Sequence, residues 1–437
     1  MKILFVSPDQ VKKNRKIDIL RYINEKILFG FGKSLTFQIL AALTPDGNQI
    51  EYVEGSHPEI NYNNDYDIVG ISASTKNILL AYEIADRFRQ KGIKVVIGGW
   101  HASALPEEAK QHADSVVIGE AEETWPQLLS DVENNNLKPF YILTKPVNPN
   151  IIPNPKIAIL PKGTRTSVQA TRGCVYECEF CSIVNMKFRK KFRMRSIDAV
   201  IQDIKSLSNR GFFFVDNSLT INPEYTKDLF RQMIPLNKKF YAYGNINTLG
   251  KDEELLKIAG EAGCLTWYIG FESIFQETIN NCNKRSNKVE NYKKTIKKIH
   301  DYGMNIMGSF IFGFDSDYLD VFNKTDEFIR KNNVDIPLLR ILTPFPGTPI
   351  YERLNNEGRI LTKDWSKYDL YNVVFQPKHL TVKELEINIQ KLKKRQYNLS
   401  TSLSRVAKSV RLGPDIFLET VSMNIFLLTR NKNLKDL

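Results

Sequence analysis

A chain of 437 residues, 42% apolar and 25% charged, has the composition of a folded protein of two or three domains and excludes global disorder. No apolar run approaches the roughly 18 residues of a membrane span, and five cysteines in so long a chain exclude a disulfide scaffold. Lys and Arg exceed Asp and Glu by 12, unevenly: residues 1–150 carry −3 and residues 381–437 carry +6. Without a recognisable nucleic-acid module, that excess reads as a solvated basic surface.

Met1 to Pro8 lacks the pattern of a signal peptide and reads as a first strand. Three cysteines within eight residues point to metal or redox chemistry, which places the protein in a reducing cytoplasm. Across 1–145, short apolar runs (2–6, 49–53, 68–72, 94–98, 115–118) alternate with helical periodicity over 79–90 and 106–112. That alternation predicts a doubly wound, parallel, Rossmann-like sheet. Its strand ends carry small residues: Ser72 and Ser74, Gly98-Gly99 before His101, and Gly119 before Glu120 and Glu122. Such ends suit close approach of a flat ligand or nucleotide tail, and equally a set of tight connections. Residues 134–163, rich in Asn, Pro and Lys, read as a linker, with 146–163 separating two domains.

Residues 164–350 repeat the pattern six times, predicting a partial (β/α)6 barrel with its ligands at the C-terminal ends of the strands. Residues 351–437 read as a helical, basic extension. The first barrel strand leads into Cys174, Cys178 and Cys181, spaced C-x3-C-x2-C. Three thiolates can hold three irons of a [4Fe–4S] cluster and leave the fourth open to a small molecule. A zinc site would need a distant fourth ligand, such as Cys264, Cys282 or one of five histidines, and offsets of 0, 4 and 7 also fit three core cysteines on a helix. Cys264 reads as a packing cysteine and Cys282 as part of a polar loop. The run Lys187 to Arg195, cations interleaved with aromatics, reads as a solvated connector rather than an RNA contact.

The cysteine motif with an aromatic at Phe180 resembles the radical S-adenosylmethionine (SAM) superfamily. The resemblance implies that SAM chelates the open iron and that an electron from the cluster cleaves it to a 5′-deoxyadenosyl radical. It places Phe180 beside the adenine, Asp216 and Asn217 on the methionine group, Asn245 near the ribose, and Glu272 among the SAM contacts. Before such a barrel, the turns at Ser72, Ser74, Gly98, Gly99, Gly119 and Glu120 resemble the cobalamin-binding domains of class B members. No Asp-x-His-x-x-Gly motif occurs and the Pro8–Lys16 loop has no histidine; His101 reads as a surface residue or one just behind the cobalamin contacts, and no histidine ligand to cobalt is expected.

The tail around Trp365 and Phe375 resembles the subgroup that includes hopanoid methylases. The family then implies a methyltransferase acting on an unactivated carbon of a lipid or other small molecule, fed by a flavodoxin- or ferredoxin-like electron donor. A ring-forming enzyme with the same cofactors is the alternative, and a cobalamin carrier or sensor is the non-enzymatic one. Apolar residues near the end (Phe417, Leu418, Met423, Phe426, Leu427, Leu428) suit either peripheral contact with a bilayer or a packed terminal helix.

Overall fold

A computed structural model describes residues 1–9, 35–160, 167–186 and 189–433. Most of the Pro8–Lys16 loop lies outside the described residues. In the first sheet, β1 (Lys2–Pro8), β2 (Gln49–Gly55), β3 (Ile68–Ser72), β4 (Lys94–Gly98), β5 (Ser115–Ile118) and β6 (Phe140–Ile142) pair in parallel in the order β2-β1-β3-β4-β5-β6. The central strands are apolar on both faces because helices cover both, as in a doubly wound sheet. Strand β6 corrects the linker reading of 134–163. It is three residues long between Pro139 and Lys145, too short to register as periodicity, yet it pairs with β5 from Val116 to Ile118. Leu143, Val147 and Ile152 continue its packing under Leu35 and Ile39.

The second sheet is also parallel, in the order β14-β13-β12-β11-β10-β7. Its strands are β7 (Ser167–Val168), β10 (Gly211–Phe214), β11 (Lys239–Tyr243), β12 (Cys264–Glu272), β13 (Asn305–Phe312) and β14 (Ile336–Ile341). Two short strands, β8 (Thr171–Arg172) and β9 (Arg193–Met194), pair antiparallel beside the cysteine loop. Sequential order with a helix after each strand is the predicted open (β/α)6 barrel. Alternation sends Phe214, Ala242, Trp267, Ile269, Phe310 and Ile341 outward against the helices, where they form the largest core. Cys264 lies in that core, 3% exposed, as expected of a packing cysteine.

The extension is only partly helical. After the helix Pro349–Asn356, residues 357–381 run as an irregular strap, held by a bridge between Ile360 and Phe375. Trp365, Tyr368 and Val374 of the strap pack into the core of the first sheet. The helix Val382–Gln396 lies against the helix Asp320–Lys331, and the helices Leu399–Ser409 and Pro414–Asn433 cap the N-terminal ends of the barrel strands. There the Thr266 hydroxyl donates to Glu419 and Asn305 donates to the Thr420 hydroxyl. Met423 and Leu427 are buried in the barrel core, whereas Leu418 is 48% exposed, so one face of the terminal helix is packed and the other open. Among the described residues, no helix is long and apolar enough to cross a membrane.

Candidate active site between two sheets

Beyond β7 the chain turns at Ala170 and Thr171 into the cysteine loop. Asp216, two residues past β10, fixes that turn. Its carboxylate accepts the Ala170 N–H at 3.1 Å, the Thr171 hydroxyl at 2.7 Å and the Thr171 N–H. Burial pushes the Asp216 carboxyl up to about 6 against these hydrogen bonds. With both oxygens turned to the loop, Asp216 supports the cysteines from behind. Its neighbour Asn217 carries the unmet donor, a buried Nδ2 without a partner among the described residues.

Gly173 sits at φ +86°, and a Cβ there would run into the Lys191 carbonyl and lie 2.7 Å from that of Arg189. Only glycine lets the loop lie against the connector, and the Cys174 N–H donates to the Arg189 carbonyl at 3.0 Å. The connector is therefore only partly solvated, with Lys190, Lys191 and Met194 exposed. Arg193 and Arg195 are buried, and Arg195 pairs with Asp203 at 2.5 Å. Lys187 and Phe188 lie outside the described residues.

Cys178 is buried, Cys174 and Cys181 are partly exposed, and none of the three is in a disulfide. Burial pushes Cys178 up to about 12 and raises Cys174 as well, while the Lys284 ammonium opposes both. Lys284 is 2.6 Å from Glu272, and its ammonium lies 5.9 Å from the Phe180 ring. Glu272 ends β12 in the left-handed region, φ +60°, with Asn287 donating to the Gly270 carbonyl beneath it. Three soft donors beside a half-buried cation suit an anionic iron–sulfur cluster, whose iron would hold the thiols as thiolates.

Cys282 departs from its sequence reading. It is 1% exposed, packs with Phe314 and Phe180, and its carbonyl accepts the Glu179 N–H at 3.1 Å. The asparagines around it hid that role. Phe180 meets Phe314 edge-on at 5.9 Å. Asn245 caps the helix Ile246–Lys251, its Oδ1 accepting the Asn247 and Thr248 N–H groups. Lys284 had no sequence signal at all, since a lysine in a polar loop looks like any other.

The C-terminal edge of the first sheet faces this loop. Gly99 (φ +103°) and Gly119 (φ +97°) turn the chain there, and a Cβ on Gly99 would lie 2.7 Å from the Ala73 carbonyl. Ser72, Gly98, Gly99 and Gly119 stay partly exposed and Ser74 exposed, which leaves their edge open to a ligand from the barrel side. That fits a cobalamin lying between the sheets. The Glu120 side chain, by contrast, is turned to the barrel. It meets Arg193 at 2.7 Å, Arg189 at 3.0 Å and Arg172 at 3.5 Å, and Glu122 meets Arg172 at 2.5 Å. Desolvation opposes ionisation of Glu120, but the arginines prevail and hold its carboxyl below the usual range. Glu120 thus offers a ligand only its backbone. His101 is 1% exposed, not a surface residue. Its Nε2 lies 3.0 Å from Glu108, which also accepts the Trp365 N–H at 3.0 Å.

Comparison with known proteins agrees with this arrangement. The Radical SAM superfamily model matches residues 168–329 and the B12 binding domain model residues 49–129. The chain is 35% identical over 354 residues to the bacteriochlorophyllide d C-12(1)-methyltransferase of Chlorobaculum tepidum, covering 78% of this chain and 77% of that one. It is 34% identical over 377 residues to the C-8(2)-methyltransferase of the same organism, covering 81% and 82%. The hopanoid C-2 methylase of Rhodopseudomonas palustris is 23% identical over 64% of this chain and 56% of its own. Among solved structures, TsrM, a radical SAM methyltransferase from Kitasatospora setae with cobalamin and a [4Fe–4S] cluster bound, superposes with a TM-score of 0.71 at 13% identity over 99% of each chain. Two family models in this order, and relatives above 30% identity matched over most of their length, make the chain a member of the cobalamin-binding branch of the radical SAM superfamily, a methyltransferase that uses a [4Fe–4S] cluster, SAM and cobalamin.

Proposed function

We propose that the protein transfers a methyl group to an unactivated carbon of a tetrapyrrole-like small molecule held between the two sheets. The observation that carries this reading is the meeting of two strand edges. The turns after β4 and β5 face the cysteine loop, and the ion pairs of Glu120 and Glu122 with Arg172, Arg189 and Arg193 hold them there. Residues 1–145 then serve as the cobalamin domain, 146–163 as the link, 164–350 as the barrel and 351–437 as the extension that ties both together.

In this assignment Cys174, Cys178 and Cys181 hold the cluster. Phe180, Asn217, Asn245 and the Glu272–Lys284 pair line the SAM site, and Asp216 orients the cysteine loop. Ser72, Ser74, Gly98, Gly99, Gly119 and the Glu120 backbone face cobalamin. When bound, the cofactors supply radical chemistry and a transferable methyl group. The chain's own work is to fix the cysteine loop through Asp216 and Gly173, to seal the interdomain floor with paired charges, and to keep water out with Phe180, Phe314 and Cys282.

The tetrapyrrole assignment draws on the two relatives above 30% identity, both named for the same pigment, whereas the lipid-methylating relative is more distant. Barrel-lumen aromatics, with Tyr243 and Tyr268 in ring contact at 4.5 Å, suit a flat substrate. A flavodoxin- or ferredoxin-like protein is the proposed electron donor, working in the cytoplasm. Leu399, Leu403, Val410 and Leu418, exposed on the basic extension, are a proposed site of peripheral membrane contact.

The test is incubation of anaerobically reconstituted protein with SAM, a reductant and bacteriochlorophyllide d. A methylated pigment formed together with S-adenosylhomocysteine supports the reading. Ring closure with 5′-deoxyadenosine alone replaces it with the cyclase alternative.

A further inference from the structure

Arg340 is the penultimate residue of β14. It is level with Ile311 of β13, which lies outside the outer core, and it reaches Tyr268 of β12, whose neighbours Trp267 and Ile269 face that core, so Arg340 faces the lumen. Its guanidinium donates to the Tyr371 hydroxyl and lies within reach of the Tyr268 hydroxyl. Tyr371 is delivered from outside the barrel. The strap passes β14 with the Ile341 N–H donating to the Leu370 carbonyl at 2.8 Å, and Lys393 lies 4.8 Å over the Tyr371 ring.

Among the described residues, no carboxylate lies within ion-pair distance of Arg340. The buried arginines Arg172, Arg193 and Arg195 each have one. Arg405, at the opposite end of the barrel, is instead engaged by the Gln396 carbonyl and side chain. Arg340 is partly exposed, so it is a cation held in place by two phenols with no carboxylate beside it among the described residues. A planar guanidinium flanked by hydroxyls matches a carboxylate, which it can grip through two parallel hydrogen bonds. The tyrosine rings beside it favour a flat, apolar body behind that carboxylate.

We propose that Arg340, with Tyr268 and Tyr371, anchors a carboxylate of the substrate, which is therefore an aromatic or macrocyclic acid. The inference rests on the methyltransferase reading and adds the substrate's charge and the strap's role in reading it. Positioning by a remote anchor is how binding energy orders a reacting carbon that has no polar handle of its own.

The experiment uses holoprotein with SAM bound and two probes of equal shape, benzoate and benzamide, read by saturation-transfer NMR. Wild type binds benzoate and not benzamide. Arg340→Gln weakens benzoate about 10-fold to 100-fold, the range of a lost charge-assisted pair, while iron, cobalamin and substrate-free 5′-deoxyadenosine formation stay at wild-type levels. Tyr371→Phe, which removes one hydroxyl and leaves the ring, weakens benzoate severalfold and serves if Arg340→Gln does not fold. Wild type that does not distinguish the probes, or Arg340→Gln with unchanged benzoate affinity, overturns the anchor. Loss of cobalamin or of SAM cleavage in Arg340→Gln overturns it too, by assigning the arginine to a cofactor. Benzoate binding that depends on Arg340 in a protein that methylates no substrate retires the methyl-transfer reading and leaves the anchor standing.

Discussion

At the scale of single residues, the chemistry depends on groups that carry none of it. In the proposed assignment Cys174, Cys178 and Cys181 are the donors, and Asp216 and Gly173 decide whether they meet. Replacing any one of the three cysteines with Ala is expected to abolish stable cluster assembly and 5′-deoxyadenosine formation. Asp216→Ala leaves all three thiols yet unties the Ala170 and Thr171 N–H groups, so iron bound after reconstitution falls to a fraction of the wild-type amount. Wild-type iron content in Asp216→Ala contradicts that role. Gly99→Ala forces a side chain into a left-handed turn 2.7 Å from a carbonyl, at a cost of roughly 1–2 kcal/mol or more. It is expected to reduce retained cobalamin, read from its visible absorbance, while leaving iron unchanged. The cysteine spacing and the Gly-Gly turn were legible in the sequence because each motif is local. Lys284, Cys282 and Arg340 were not, because their roles come from the side chains that distant segments fold against them.

At the scale of elements, the strands that the alternation marked are the strands of the two sheets, their ends set by glycine turns and apolar runs. Strand β6 escaped because three residues between prolines and lysines show no period. The Lys187–Arg195 connector misled for a different reason. A run of arginines looks solvated until its carboxylates are found, and those, Glu120 and Asp203, lie in other elements. The terminal helix holds a further buried charge. Burial pushes the Glu419 carboxyl up to about 8, with the Thr266 hydrogen bonds opposing and the Asp335 charge adding. A carboxyl raised in the folded state contributes stability below its unfolded value near 4.5 and loses it as pH rises toward 8. Wild-type melting temperature is therefore expected to fall between pH 5 and pH 8.5, and Glu419→Gln to flatten that fall by several degrees. Parallel curves for the two proteins show that Glu419 does not hold its proton in the docked helix.

At the scale of the whole molecule, the domains are joined too closely to act as separable modules. The cysteine loop rests on arginines whose carboxylates belong to the first sheet, and the strap returns Trp365, Tyr368 and Val374 to the core of that sheet. Residues 151–437 alone leave Arg172, Arg189 and Arg193 without their partners beside the cysteines, and unpaired buried charge is strongly destabilising. That fragment is expected neither to remain soluble nor to assemble a cluster; a soluble fragment with full iron content shows the ion pairs to be dispensable.

One interface is proposed to serve two cofactors, and a single assay without substrate tests this. Protein loaded with cluster and unmethylated cobalamin is incubated anaerobically with SAM and a strong reductant, and 5′-deoxyadenosine and S-adenosylhomocysteine, the latter up to one equivalent per cobalamin, are quantified together. Both products are expected from the loaded protein, with 5′-deoxyadenosine lost in Cys178→Ala and S-adenosylhomocysteine lost when cobalamin is withheld. Formation of 5′-deoxyadenosine alone by protein carrying stoichiometric cobalamin contradicts the account.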